Sequence, residues 1–457
     1  MTHETQSEQT PSADRISLSI DEGFDLAVQL HRSGCPDPAE MLYRRILEAL
    51  PTHLNSLNFL ALLCHQQQRR EEAADLLGRI ITIDPDNPDA HNNLGNVLDG
   101  MGRKRDAEAR FRKAIEIQPE HAPALNNLGV VLTSRGALDE ALDVYQRAVE
   151  GDPENADYRY NMGNALRKNG RMDAALAAYG KAVELDSAHM GAWQGLTRAL
   201  IQTGREEAAL AVFDAWIEKD PQNPVARYLQ AACQGQGAPD RAPDLFVQKT
   251  FDEMAATFDD HLQNDLDYRA PQLIVEALAE HLPPTGAALD ILDAGCGTGL
   301  CGPLLKPFSR HLAGVDLSAG MLTRARGTTH YDELVQAEIT EFLKSRPAAY
   351  HLIVSADTLC YFGDLRTVLT WAARGLRPGG RMAFTLEAAE TDEVAWQLNR
   401  NGRYVHHPTY INEVAGDAGF DATAIRPVIL RTEGGEPVRG FLVLLTTRRA
   451  HGRSHPL

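Results

Sequence analysis

One residue type keeps time along the first half of the chain. Alanine stands at Ala39, Ala73, Ala107, Ala141, Ala175 and Ala209, each step being 34 residues. Other columns hold the same phase. Leu or Met occupies Leu26, Leu60, Leu94, Leu128, Met162 and Leu196, and a small residue follows at Ala27, Ala61, Gly95, Gly129, Gly163 and Thr197. A large apolar residue recurs at Tyr43, Leu77, Phe111, Tyr145, Tyr179 and Phe213. Proline closes the units at Pro51, Pro85, Pro119, Pro153 and Pro221, with Ser187 as the exception. Small residues let two antiparallel helices approach closely. The large residue fills the space between one helix pair and the next, and proline stops the last helix. A unit this short cannot bury its apolar face alone, so successive units must stack into a solenoid. Aromatic residues are only 6% of the chain, which suits a core built mainly from Ala and Leu.

This pattern resembles the tetratricopeptide repeat, a helix–turn–helix of 34 residues. Six units fall at 20–53, 54–87, 88–121, 122–155, 156–189 and 190–223, so the array is expected over 20–223. Residues 1–19 read as a disordered N-terminus and 450–457 as a tail. Residues 224–244 read as a capping helix followed by a linker rich in Gly and Pro. First-helix residues of such an array line its concave face. Asn93, Asn127 and Asn161 recur there, 34 apart. A side-chain amide both donates and accepts, so a row of them can pair with an extended peptide. The row resembles the asparagine ladder of peptide-binding tetratricopeptide superhelices. The competing reading is a tolerated polar residue on a solvated helix face.

From residue 289 the period changes. Short apolar runs at 289–294, 311–316, 351–357, 381–387 and 441–447 alternate with helical stretches, which argues for an open, mostly parallel sheet. The first run ends in Asp293 and leads into DAGCGTGLCG. Gly297, Gly299 and Gly302 match G-x-G-x-x-G, which by itself also fits a dinucleotide site. Asp293 redirects the reading, because a carboxylate there suits a cationic amino-acid end and opposes a pyrophosphate. Asp316, 17 residues after Gly299, suits two ribose hydroxyls, and LRPGG at 376–380 precedes a further strand.

The set resembles the class I S-adenosylmethionine-dependent methyltransferases over 245–449. The expected fold is an all-α tetratricopeptide solenoid followed by an α/β Rossmann-like class I methyltransferase domain. The resemblance implies S-adenosylmethionine as cofactor, with Asp293, Gly295, Gly297, Gly299 and Asp316 at its amino-acid and ribose parts. It places Glu338 opposite the adenine amino group, Ile339 as a backbone donor to the ring, and Asp357 at the methionine end. His351 stands where the family usually has an acid before the fourth strand. The combination also resembles a bacterial group of tetratricopeptide-containing methyltransferases, through FDEMAATFDDHL, YRAP, SADTLCYFGDL and GRYVHHPTYI.

Acceptor-side candidates are Tyr268, Tyr361, Glu387, Tyr404, His406 and His407, with Arg431 and Glu433 at the same mouth. His406 is the expected general base, with Tyr404 and Tyr361 beside it. Three functions follow. In the first, the repeats dock a protein or peptide partner whose group is methylated. In the second, the acceptor is a small molecule and the array serves assembly or localisation. In the third, the fold is a non-catalytic scaffold, which the intact glycine loop disfavours.

Charge and cysteines bound the rest. The 63 acidic residues against 45 basic ones give −18, which excludes nucleic acid or an anionic membrane bound through bulk charge. The six cysteines form no C-x-x-C pair or zinc spacing, so no metal site is expected. The polar N-terminus and the lack of a long apolar run lead to the expectation of a cytoplasmic protein.

Overall fold

The computed structural model describes residues 18–255, 258–260, 262, 266–279, 288–390, 394–433 and 435–448. The expected 450–457 tail and all but the end of the expected 1–19 segment lie outside these. The chain forms two compact units, Met1–Gly204 and Arg205–Leu457.

The first unit is a run of helices: α1 (Ile20–Arg32), α2 (Pro36–Ala49), α3 (Leu54–Gln66), α4 (Arg70–Ile83), α5 (Pro88–Gly100), α6 (Lys104–Ile117), α7 (Ala122–Ser134), α8 (Leu138–Gly151), α9 (Ala156–Lys168), α10 (Met172–Leu185) and α11 (Met190–Gln202). Each odd-numbered helix starts where the 34-residue register opens a unit. Each helix packs on the next, and the odd-numbered ones also touch one another as a layer. The alanine column, from Ala39 to Ala209, is fully buried.

The small and large columns meet within a unit. A Cβ added at Gly95 would lie 2.4 Å from Phe111, at Gly129 2.6 Å from Tyr145, and at Gly163 2.7 Å from Tyr179. The ring therefore covers the glycine of its own helix pair. Tyr179 also reaches forward, lying 2.6 Å from a Cβ placed on Gly195. The sequence reading placed all these rings between pairs. In these three units the missing side chain of the glycine leaves the hollow that the ring fills.

The caps alternate. Odd helices begin at His53, Asn87, His121, Asn155 and His189. Each cap side chain accepts from a backbone N–H three residues on, as His121 Nδ1 does from Ala124 N at 3.1 Å and Asn87 Oδ1 from Ala90 N at 2.9 Å. An imidazole with a free Nδ1 lone pair thus does the work usually given to Asn or Ser.

The second unit opens with α12 (Glu206–Lys219) and α13 (Pro224–Gln234), followed by α14 (Asp244–Met254), a helical turn α15 (Phe258–Asp260) and α16 (Ala270–Leu278). Its sheet holds β1 (Leu289–Ala294), β2 (Ser309–Asp316), β3 (Glu333–Gln336), β4 (Tyr350–Ser355), β5 (Leu376–Ala388), β6 (Trp396–Leu398), β7 (Tyr404–His406), β8 (Phe420–Glu433) and β9 (Glu436–Thr447). Between them lie α17 (Gly302–Leu305), α18 (Ala319–Gly327), α19 (Ile339–Lys344), α20 (Arg366–Gly375) and α21 (Pro408–Asp417). The order is β3-β2-β1-β4-β5-β7-β6, with β9 paired to both β5 and β8. Strands β3 to β5 along that path are parallel, and β9 runs antiparallel to β5. Strand order reverses between β1 and β4, which is where an α/β sheet opens its ligand crevice.

The stretch expected as a linker is built into this unit. Ala242 N donates to Tyr361 O at 2.8 Å, and Asp240 O accepts from Gly363 N and Asp364 N at 2.7 and 2.8 Å. The expected capping helix belongs here too. Tyr228 is fully buried and donates to Gly402 O at 2.6 Å, beside Phe246 and Tyr404. Gly and Pro at 235–243 therefore mark a bent, hydrogen-bonded path.

Candidate functional site

The strand ends around the β1/β4 reversal carry the acids expected there. After β1 the backbone must turn sharply. Gly295 sits at φ 77°, donates to Val315 O at 2.8 Å, and has Thr358 so close that a Cβ would lie 2.2 Å from its Oγ1. Gly297 is also left-handed, at φ 54°, yet nothing lies within 4 Å of the Cβ it lacks. The first glycine is required by the protein, whereas the second leaves open space above the loop. Gly299, at φ 94°, meets Tyr331 at 3.0 Å.

Asp293 is 1% exposed. Its Oδ2 accepts from Tyr331 Oη at 2.7 Å, its Oδ1 makes no hydrogen bond, and the buried Cys301 thiol interacts with the carboxylate. Burial pushes its carboxyl up to about 7, and the Tyr331 hydrogen bond only partly opposes this. Asp316 ends β2 and accepts from Gly297 N and Ser318 N, both at 2.9 Å. Burial raises its carboxyl too, against the pull of those N–H groups.

Glu338 caps α19. Its Oε2 accepts from Glu341 N at 2.9 Å, while its buried Oε1 has no hydrogen bond. Ile339 is the first residue of that helix, where backbone N–H groups lack a helical acceptor. Asp357 follows β4 in the left-handed region at φ 55°. Its N donates to Thr385 Oγ1 at 2.8 Å, its Oδ2 accepts from Arg431 Nη1 at 2.8 Å, and its buried Oδ1 is unpartnered. Three carboxylates at the ends of β1, β3 and β4 thus each keep one buried oxygen open. Buried acceptors are normally satisfied, so this set fits a ligand rich in N–H donors and positive charge. S-adenosylmethionine has these groups in an ammonium, a sulfonium and an adenine amine.

The mouth is a partly buried ion network. Arg431 is fully buried and reaches Asp357, Glu387 and Glu433, the last at 2.6 Å from Nε. Arg403 Nη1 donates to Glu433 at 2.6 Å. Two guanidinium groups thus face three carboxylates, and the balance leans negative. Tyr361 packs edge-on against Phe251, and burial raises its hydroxyl to about 12. Tyr268 is half-buried beside β8, where Thr432 N donates to Leu266 O at 2.7 Å.

Two acceptor-side expectations are corrected. His406 is fully buried, its Nε2 donates to Gly363 O at 3.1 Å, and burial lowers its imidazole to about 4. Tyr404 is also fully buried and donates to Pro239 O at 2.6 Å. Both brace neighbouring backbone, and neither opens onto the mouth. Strand β7 is buried along all three of its residues, so it has no solvent-facing side to present them, and a strand this short hides that in sequence. His407 caps α21 by accepting from Thr409 N at 3.2 Å.

Sequence reading missed several partners. Tyr331 holds Asp293. Asp252 Oδ1 accepts from Ser318 Oγ at 2.5 Å and Gly320 N at 3.0 Å, and Asp259 Oδ1 accepts from Thr298 Oγ1 at 2.5 Å. These two acids lie in FDEMAATFDDHL, so their presence in that segment was the available signal.

On the repeat face, each expected asparagine bonds to an asparagine of a second column. Asn93, Asn127 and Asn161 donate through Nδ2 to Asn58, Asn92 and Asn126, each at 3.0 Å. Asn127 also reaches Asn96 at 2.9 Å. A second column, Asn58, Asn92 and Asn126, is again 34 apart and escaped the reading.

Residues 292–384 match the methyltransferase domain family. Tetratricopeptide repeat families match 61–102, 92–156, 144–177 and 166–233. The malonyl-[acyl-carrier protein] O-methyltransferase of Hahella chejuensis is 31% identical over 178 residues, covering 37% of this chain and 60% of that one. Methyltransferase-like protein 27 of Homo sapiens is 42% identical over 100 residues, covering 21% of this chain and 39% of its own. The crystal structure of a thermophilic tetratricopeptide protein of Thermus thermophilus matches 40% of this chain and all of its own, with 22% identity and a TM-score of 0.35. This chain spans 32% to 60% of the length of the first curated relatives it matches. The chain thus joins tetratricopeptide repeats to a methyltransferase domain.

Proposed function

We propose that this chain transfers a methyl group from S-adenosylmethionine to a protein, or to a group that a protein partner presents, and that the repeat array holds that partner. One observation carries the reading. Asp293, Glu338 and Asp357 stand at the ends of β1, β3 and β4, on both sides of the β1/β4 reversal, each with a buried oxygen that has no hydrogen bond. Asp293 would hold the ammonium, Asp316 the ribose hydroxyls, and Glu338 with Ile339 N the adenine. When bound, the cofactor supplies an already activated methyl group. The protein's part is to align the two reactants and to exclude water. Asp357, fixed by Arg431, borders the methionine end with Tyr361.

A partner-presented acceptor is supported by the malonyl-[acyl-carrier protein] O-methyltransferase relative, whose name specifies a group carried on a protein. A small-molecule acceptor is favoured by one feature, the asparagines tied to each other, which leaves fewer amides for a peptide. Among the described residues no helix is long and apolar enough to cross a membrane.

Isothermal titration calorimetry with S-adenosylhomocysteine tests the cofactor site, and absence of binding to the folded full chain sinks the reading. Radiolabelled S-adenosylmethionine added to cell extract with the chain separates the acceptors. Label in protein or carrier supports the first reading, and label confined to small molecules supports the second.

A further inference from the structure

The strap between α13 and α14 does more than connect. Its backbone is stitched to the segment after β4 through Asp240 and Ala242, and Arg241 forms an antiparallel bridge with Phe362. Tyr404 Oη donates to Pro239 O at 2.6 Å and fixes one end of the strap. This anchoring brings Arg241 beside Glu338. Its guanidinium lies 5.9 Å from the centroid of the Phe362 ring. Its Nη1 donates to Asp244 Oδ1 at 2.6 Å and stands 3.8 Å from Glu338 Oε1. That Oε1 is the buried oxygen left without a hydrogen bond.

We propose that Arg241 is a cofactor-positioning residue, supplied by the strap and not by the methyltransferase core. It keeps Glu338 Oε1 directed at the exocyclic amine of an aminopurine nucleoside. A cation 3.8 Å away attracts and orients the carboxylate without consuming the oxygen in a direct hydrogen bond. The Phe362 ring and Asp244 hold the guanidinium back from closing on Glu338. The proposal rests on the cofactor reading above.

The test is calorimetric binding of S-adenosylhomocysteine, and separately of adenosine, to the full chain and its variants. Arg241→Met keeps an apolar stem over Phe362 and removes the charge. It is expected to weaken both ligands by roughly tenfold, since one well-placed charge contact is worth about that much. Arg241→Lys is expected to recover most of the loss. Arg241→Met combined with Glu338→Gln should bind no more weakly than Glu338→Gln alone, because the arginine acts through the glutamate. Unchanged binding by Arg241→Met overturns the proposal, as does a double variant whose losses multiply. If adenosine is unaffected while S-adenosylhomocysteine weakens, the effect is not at the nucleoside end and the proposal also falls. Thermal melting of each variant identifies a loss of fold, in which case Arg241→Lys, which keeps the strap's charge, decides. If the parent chain binds neither ligand, the cofactor reading itself has failed, a result distinct from all of these.

Discussion

To hold an ammonium, as proposed, Asp293 would have to be charged in a place that resists charge. Its folded carboxyl sits at about 7, against about 4 for an unfolded chain. Between those values the folded state holds the extra proton, so stability falls as pH rises from about 4 to 7. Binding a cationic ligand runs the other way, because only the ionised carboxylate attracts it. We expect affinity for S-adenosylhomocysteine to rise by up to about tenfold per pH unit below 7 and to level off above it. Calorimetry from about pH 5.5 to about pH 8.5, a range that brackets the folded value, checks this, and Asp293→Asn should flatten the profile and weaken binding. At Gly295 the constraint is steric. Ala there meets Thr358 and a left-handed backbone at once, so Gly295→Ala should cost about 2–4 kcal/mol in denaturant titrations. Adding Thr358→Ala should return only part, since it removes the clash and leaves the backbone cost.

At the scale of elements, the array shows two devices repeated in space. The first is the alternating cap. Because Asn already serves in neighbouring units, His121→Asn should leave stability within about 0.5 kcal/mol. His121→Ala should cost about 1 kcal/mol, and equal melting of the two variants would refute the capping account. The second is the asparagine cross-tie. Asn92 is buried, and its Oδ1 accepts from Asn127. Asn127→Ala strands that oxygen, so a loss of about 1–2 kcal/mol is expected on chemical unfolding. No loss would mean the amides are free for a ligand and would revive the peptide row in its first form. Much of this was legible. A 34-residue phase placed every odd helix start, because helix length, turn and proline are local. The partner of each asparagine was not legible, because residues 35 apart meet only once neighbouring units have stacked.

For the whole molecule, the boundary decides what can be cut. A chain shortened to 245–457 matches the domain read from sequence but lacks Tyr228, the strap and their hydrogen bonds. It should melt several degrees below a chain shortened to 205–457, as loss of about 2 kcal/mol implies for a domain this size. Equal melting temperatures would show the strap to be a passive connection. The acids at the strand ends were readable because strand, turn and acid follow each other along the chain. His406, Tyr404, Tyr331 and Arg241 were misassigned or missed, because their roles depend on side chains far away in sequence.

By itself, then, the sequence determined the repeat length, the helix starts, the glycine turn and the acids at its strand ends. Each of these follows from local periodicity and backbone sterics. Only the tertiary structure decided which carboxylate oxygens stay open, which asparagines pair, and that a stretch reading as a linker is anchored beside Glu338. Those outcomes depend on which polar groups find partners when distant segments are buried together, and no local pattern encodes that pairing.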